Sequence, residues 1–299
     1  MMRNLVILIL VGVVGESIAA RAAVVEVVAA FEGNRGPGWK AAANVHGAVG
    51  PNHIVDFTVG GFTVHDKATG KVLRHLSQRE FWNKVEPPNS IDPQKDANDP
   101  WMLYDPLSQR WFATVSGTSA PDSFLAVSTS SDPMQAWKGV KLPLPRIDPG
   151  IKIGVDRHGL YFCSANGSPN WREALNCYVI PKADAIATEG PVLSHAQTFP
   201  KLIYSAVPAV DPDSNKAADA PAALLNNEFG GPTCGKLCLY KITWSRQKAS
   251  LSAAQEIALS KAYPVPRMEA EAPPSLAQGE PCSRQFPERL RGSPSAPTR

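Results

Sequence analysis

The chain has 299 residues, in which 30 lysines and arginines face 27 aspartates and glutamates, and it carries 28 prolines and 22 glycines. A formal charge of +3 spread over that length gives no concentrated basic face, so nucleic acid is not an expected partner. Helix interiors tolerate neither proline nor glycine well, and a helix-rich fold is disfavoured.

Met1-Met2-Arg3-Asn4 leads into an apolar run from Leu5 to Val14, interrupted by Gly15-Glu16 and followed by Ser17-Ile18-Ala19-Ala20-Arg21-Ala22-Ala23, with small residues at spacings a signal peptidase accepts. A positive start, a hydrophobic stretch and small residues form the pattern of a secretory signal, with cleavage after Ala19 or Ala22 fitting the spacing best. An uncleaved anchor or a buried N-terminal helix is the alternative. A spanning helix needs about 20 apolar residues, and this run is about half as long. The expectation is a signal peptide over residues 1–22 and export to the periplasm or medium. No stable membrane span is expected after cleavage, and roughly 275 residues are left to build a core.

From Val45 onward the chain reads as short strands. Ile54 to Val59, Gly60-Gly61 and Phe62 to Asp66 lead into the turn Asp66-Lys67-Ala68-Thr69-Gly70, where Gly70 suits a left-handed position, and a further strand through Val72-Leu73 follows it. Trp101 to Tyr104, the turn Asp105 to Gln109, Arg110 to Val115 and Ser123 to Thr129 make a second unit. Ile151 to Val155, the turn Asp156 to Gly159, Leu160 to Cys163 and Asn176 to Ile180 make a third. The fourth begins near Phe199, carries a long excursion from Val210 to Leu225, and ends in Leu237 to Trp244.

Each unit follows one plan of strand, Asp- or Gly-bearing turn, strand, loop and strand. The interval of roughly 45 to 55 residues falls in the range of propeller blades. Trp82, Trp101, Trp111, Trp137 and Tyr161 supply large faces for packing one small sheet on the next. The fold expected is all-β, a β-propeller-like array of short antiparallel sheets over residues 45–268. A sandwich is the competing architecture. Four units are few for a closed ring, so either blades are missed or the array is incomplete. Residues 269–299 are proline-rich and poor in bulky residues, which reads as a flexible tail dispensable for the fold.

Five cysteines in an exported chain read first as disulfide material. Cys163 and Cys177 flank a polar stretch between two strand-like segments, and a bridge there contributes about 3 kcal/mol by loop closure. Cys234 and Cys238 could close a tight turn, leaving Cys282 over. As zinc ligands, C-x₃-C without a second close pair is weak spacing.

Gly47 to His53, Phe62 to Gly70, Asp99 to Asp105, Arg110-Trp111 and Lys152 to Val155 resemble a group of secreted bacterial proteins with predicted propeller-like repeats. The resemblance runs from Val45 to Thr243. It implies export and blade architecture and supplies no reaction. Members of the group continue beyond the last strand recognisable here, which points to a truncated or altered C-terminus. Ser130-Ser131-Asp132-Pro133-Met134-Gln135-Ala136-Trp137 resembles the Asp-box turn of sialidase-type propellers. Ser130, Asp132 and Trp137 match its pattern; Met134 and Ala136 stand where glycine and threonine are expected. The role implied is structural, with a carboxylate taking backbone N–H groups and a tryptophan packed beneath.

Catalytic readings are thin. Glycoside cleavage needs two placed carboxyls; Asp92, Asp96, Asp99, Asp148 and Asp156 are available, and each equally suits turn capping. Arg110, Arg157 and Tyr161 can be named for a sialidase-like site without a matching local motif. No Gly-x-Ser-x-Gly elbow, nucleotide loop or H-E-x-x-H helix is present. His53 and His65 read as packed or surface histidines, while His46, before a turn, could line an entrance. Asp211, Asp213 and Asn215 place oxygen atoms at alternate positions as a calcium loop begins. Lys216 and Ala222, at its sixth and twelfth positions, exclude an EF-hand. An irregular calcium site and a solvated acidic loop both stay open. The functional expectation is a secreted binding or scaffold protein for a carbohydrate or extracellular protein. An extracellular carbohydrate-active hydrolase is the alternative.

Overall fold

The computed structural model describes residues 30–31, 33, 45–87, 98–116, 123–143, 151–165, 175–202, 206–227 and 233–264. The expected signal peptide and the tail from 269 onward lie outside them, as do Asp92, Asp96, Asp148 and Cys282.

Among the described residues four antiparallel sheets follow one another in sequence. The first is β1 (Val45–Val49), β2 (His53–Thr58), β3 (Gly61–Asp66) and β4 (Val72–Leu76), in that order. The second holds β6 (Asn98–Asp105), β7 (Arg110–Ser116), β8 (Ser123–Ser128) and β9 (Trp137–Leu142), with the short β5 (Val85–Glu86) added parallel to β9. The third is β10 (Lys152–Val155), β11 (Gly159–Ala165), β12 (Leu175–Pro181) and β13 (Gln197–Leu202). The fourth is β14 (Val207–Pro208), β15 (Ala222–Asn227), β16 (Thr233–Ser245) and β17 (Lys248–Leu251), with β18 (Gln255–Pro264) also pairing β16. Among the described residues two short helices are inserted, α1 (Gln78–Asn83) and α2 (Lys182–Ala185).

Strand alternation explains how these sheets stack. Successive side chains of a strand point to opposite faces, so one strand can feed two cores. In β7, Trp111, Ala113 and Val115 pack with Val55, Phe57, Phe62 and Val64 of the first sheet, while Phe112 enters the core shared with the third. In β11, Leu160 and Phe162 face the second sheet, whereas Tyr161 and Cys163 join Leu224, Cys238 and Tyr240 of the fourth. The three hydrophobic clusters therefore join first to second, second to third and third to fourth sheets. The opening strands β1, β6, β10 and β14 lie beside one another in sequence. At the last joint Asp211 N–H donates to Val155 O at 2.8 Å and Val155 N–H to Ala209 O at 3.2 Å. Consecutive sheets stacked face to face with adjoining first strands make a β-propeller-like array.

Helix α1 has a sequence reason to form where it does. Ser77 and Glu80 make a reciprocal capping box. Phe81 and Trp82 are buried between the first two sheets, and Gln78 binds Thr58 O at 2.7 Å while receiving Trp82 Nε1–H.

Two boundaries differ from the sequence reading. Phe199 does not open the fourth unit; it pairs with Cys177 in the outer strand of the third sheet. The fourth sheet starts at Val207, and the excursion after Val210 is over by Ala222, where β15 begins. The outer strands β4 and β13 carry mixed, largely exposed side chains, so they lack the apolar alternation that marks a strand in sequence. The far face of the fourth sheet presents Val207, Leu225 and Ile257 to solvent.

Candidate functional site

The turns joining the first and second strands of the middle sheets begin with aspartate. Asp105, fully buried at the end of β6, accepts the N–H groups of Leu107 and Ser108 at 3.2 Å each, and the Ser108 hydroxyl. Asp156, after β10, accepts the N–H groups of His158 and Gly159 at 2.8 and 2.9 Å through Oδ1. An aspartate at the head of a tight turn satisfies backbone donors that the turn would otherwise bury.

Both carboxylates also meet a lysine from the neighbouring structure. Lys182, at the start of α2 on the third sheet, ion-pairs with Asp105 of the second and lies over the Phe112 ring, 5.7 Å from its centroid. Burial pulls the Lys182 ammonium below the usual lysine range, and Asp105 opposes that shift. Lys216, in the connection from β14 to β15, stands 3.8 Å from Asp156 Oδ2 and 2.7 Å from Asp211. Arg157 donates to Lys216 O, binding the third sheet's turn to the same connection.

Beneath this charged layer Tyr161 is almost completely enclosed. Its hydroxyl donates to Asp156 Oδ1 at 2.9 Å and accepts the Trp244 indole N–H at 2.8 Å. Burial, reinforced by the Asp156 charge, drives its pKa far up. A tyrosine so placed is a structural hydrogen-bond relay; neither Arg110 nor Arg157 is hydrogen-bonded to it.

A cavity of ≈ 330 Å³ opens above these groups, lined by Leu107, Ser108, Arg157, Lys182, Ile186 and Ser214. It draws residues from the second, third and fourth sheets and is the candidate site. Its walls combine apolar Leu107 and Ile186 with hydroxyl, guanidinium and ammonium groups.

Other residues singled out in the sequence fall elsewhere. Asp211 is engaged by Lys216 and by Asp213 N–H, and Asp213 Oδ1 caps Asn215 N–H at 2.8 Å. Asp211 thus faces the Lys216 ammonium, while Asp213 and Asn215 follow one another in turn capping. Among the described residues no three His, Cys, Asp or Glu side chains gather as a metal site.

Asp132 accepts Met134 N–H at 2.9 Å and the Gln135 amide at 3.0 Å, and Ser130 Oγ accepts Asp132 N–H. Trp137 is buried against Phe62 and Phe81 and donates to Pro133 O. This turn, between β8 and β9, braces the first joint. His46 stacks on Trp101 with ring centres 3.8 Å apart, and burial lowers its pKa. His65 is buried, with Nε2 3.1 Å from Asp56 and Nδ1 3.3 Å from Gly70 O.

Cys163 and Cys177 are direct cross-strand partners in β11 and β12, fully buried and present as thiols. The contact with Cys163, together with burial, pushes the Cys177 thiol up. Cys238 lies in the same cluster; the Cys234 side chain is outside the described residues.

The sequence matches no protein-family model and no curated protein. Among solved structures it is similar to an exo-β-1,3-galactanase from Phanerochaete chrysosporium, at 10% identity and TM-score 0.40, covering 73% of this chain and 50% of that one. A GH43 β-1,3-galactosidase gives 10% identity and TM-score 0.35, over 71% and 46% of the two chains. The WD40 domain of SCAP from fission yeast gives 9% identity and TM-score 0.26, over 73% and 66%. The chain thus spans about half the length of the galactanase. At such scores these neighbours decide nothing about its chemistry. No helix among the described residues is long and apolar enough to cross a membrane.

Lys182, Lys216 and Trp244 carry no motif in the sequence. Lys182 follows Pro181 at a strand end, and its partner Asp105 lies 77 positions away. Only the Asp-led turns themselves were visible.

Proposed function

We propose that this is an exported protein that binds an extracellular carbohydrate in the cavity between Leu107, Ser108, Arg157, Lys182 and Ser214. The observation that carries the reading is the commitment of the nearby acids. Asp105 is occupied by its turn and by Lys182; Asp156 gives Oδ1 to its turn and to Tyr161, and its Oδ2, without a hydrogen bond among the described residues, is sealed from solvent 3.8 Å from Lys216. Carboxyls that hydrolyse a glycoside must face the bond from two sides, one of them donating a proton; these two are spent on holding turns and joints. The groups left at the wall suit a polyhydroxylated ligand, with Ser108, Ser214 and Arg157 for hydrogen bonding and Leu107 and Ile186 for the apolar face of a sugar ring.

Purified mature protein screened on a glycan panel and on chromogenic glycosides is expected to show saturable binding without turnover. Arg157→Ala is expected to weaken that binding about tenfold through loss of a charge-assisted donor. Turnover of any glycoside that a single Asp-to-Asn change abolishes would replace binding with hydrolysis.

A further inference from the structure

A second depression lies at the rim between the third and fourth sheets, away from the cavity just described. It has a volume of ≈ 400 Å³, and its wall includes Ser194, His195, Gln197, Arg246, Gln247 and Lys248. No carboxylate lines it. Asp184, in α2, is turned to His195 Nδ1 at 2.8 Å, and the Ser194 hydroxyl lies 3.2 Å from the same nitrogen. Asp184 thereby fixes the imidazole and leaves Nε2 without a partner among the described residues. Arg246 and Lys248 are exposed and in no ion pair among the described residues. The Gln197 amide nitrogen is buried with nothing to donate to. A buried donor without an acceptor costs free energy unless something else accepts its hydrogen.

The backbone points the same way. Arg246 and Gln247 form a two-residue hairpin loop between Ser245 and Lys248, which pair across β16 and β17. Arg246 has φ 56°, a left-handed conformation, at the loop position where hairpins of this kind favour glycine. A side chain held there carries a steric penalty that glycine would not. That penalty puts a guanidinium beside a lysine, a carboxylate-braced histidine and an unpaired amide.

We infer that this depression binds an oxyanion of the sulfate type, either free or carried on a polysaccharide. The positive charges of Arg246 and Lys248, in no ion pair among the described residues, match its oxygens, and the absence of any carboxylate from the wall lowers the repulsion that would oppose it. The inference is independent of the proposed carbohydrate cavity, which uses none of these residues.

The test is calorimetric titration of the full mature chain with sodium sulfate at constant ionic strength, with dextran sulfate and neutral dextran in parallel. Saturable sulfate binding is expected, weakened about tenfold in Arg246→Gly and in Lys248→Gln. Arg246→Gly is expected to melt no lower than the parent, because glycine relieves the left-handed strain; binding falls while the fold holds. Dextran sulfate held more tightly per sulfate group than the free ion identifies the polymer as the ligand, and equal affinity identifies the free anion. Sulfate binding unchanged in both variants overturns the assignment, as does equal uptake of neutral dextran.

Discussion

Trp244 of the fourth sheet donates its indole hydrogen to Tyr161 of the third at 2.8 Å, and Tyr161 passes its own hydrogen to Asp156 at 2.9 Å. Tyr161→Phe keeps the ring and removes the relay, leaving Asp156 short of a donor and Trp244 short of an acceptor. The expected loss is about 1–3 kcal/mol of unfolding free energy, read from urea melts at neutral pH. A variant as stable as the parent would show that the relay contributes nothing.

The same hydroxyl sets a pH dependence. Its folded-state pKa is raised by burial and by Asp156, whereas an unfolded tyrosine ionises near the ordinary value of about 10. Below that value both states keep the proton and the contribution is complete. Above it the unfolded state releases the proton while the folded state holds it, so stability falls as pH rises. Melting curves from pH 9 to about 11 are expected to slope downward, and less steeply in Tyr161→Phe. Tyr104 and Tyr178, also raised by burial, account for part of the slope that remains.

Lys182 and Asp105 are expected to behave as a unit. Lys182→Met leaves a buried carboxylate without its cation and should cost about 3–5 kcal/mol. Adding Asp105→Asn removes that charge while keeping the shape of the turn, and the double variant should recover part of the loss. A double-mutant cycle with no coupling would mean the two charges act separately.

Strands and turns are written in the sequence far more plainly than the contacts between sheets. Strands β3, β7, β8 and β11 announced themselves through β-branched and aromatic residues, and the Asp-led turns through their composition. Gly70 has the left-handed φ of 70° expected of it. The turn Asp66–Gly70 predicts the strand that follows it, and β4 stands there. Strand β13 is harder to place, because Phe199 reads as the opening of a fourth unit and sits instead at the outer edge of the third sheet, where solvent removes the demand for apolar residues. The ion pairs between sheets are invisible for another reason: Lys182 meets Asp105, and Lys216 approaches Asp156, only through the stacking of sheets, which no local spacing encodes. The rim depression was hidden likewise, since Gln197 and Arg246 belong to different sheets.

Glycine marks two of the joints. A Cβ on Gly50 would lie 2.4 Å from Trp111 Cζ2 of the next sheet, and one on Gly159 2.6 Å from Trp244 Cζ2. Gly50→Ala and Gly159→Ala are each expected to cost about 1–3 kcal/mol by overpacking. Thermal melts test this directly. Paired substitution of the indole by a smaller side chain, as in Gly159→Ala with Trp244→Phe, should restore less than the full loss because the Tyr161 acceptor then stays unfilled.

Cys163 and Cys177 face each other across an antiparallel pair, where opposed Cα atoms stand about 4.5–5.5 Å apart and within the range a disulfide requires. Protein recovered from an oxidising compartment is expected to yield the cross-linked peptides on non-reducing mapping. Oxidation of the thiols takes two electrons and two protons, delivered to a disulfide-exchanging catalyst of that compartment. Unmodified thiols at both positions in exported protein would leave them as small buried apolar groups.

Strands β7 and β11 each face two cores, with odd-numbered residues on one side and even-numbered on the other. A slip of one residue would turn a whole strand over. In β11 it would send Leu160 and Phe162 toward the fourth sheet and Tyr161 toward the second, spoiling two interfaces at once. An error at the exposed outer strand β4 spoils far less. Mis-registered folding intermediates are therefore penalised most in the middle of the array, and single-residue insertions or deletions should be tolerated at the outer strands long before they are tolerated in β7 or β11.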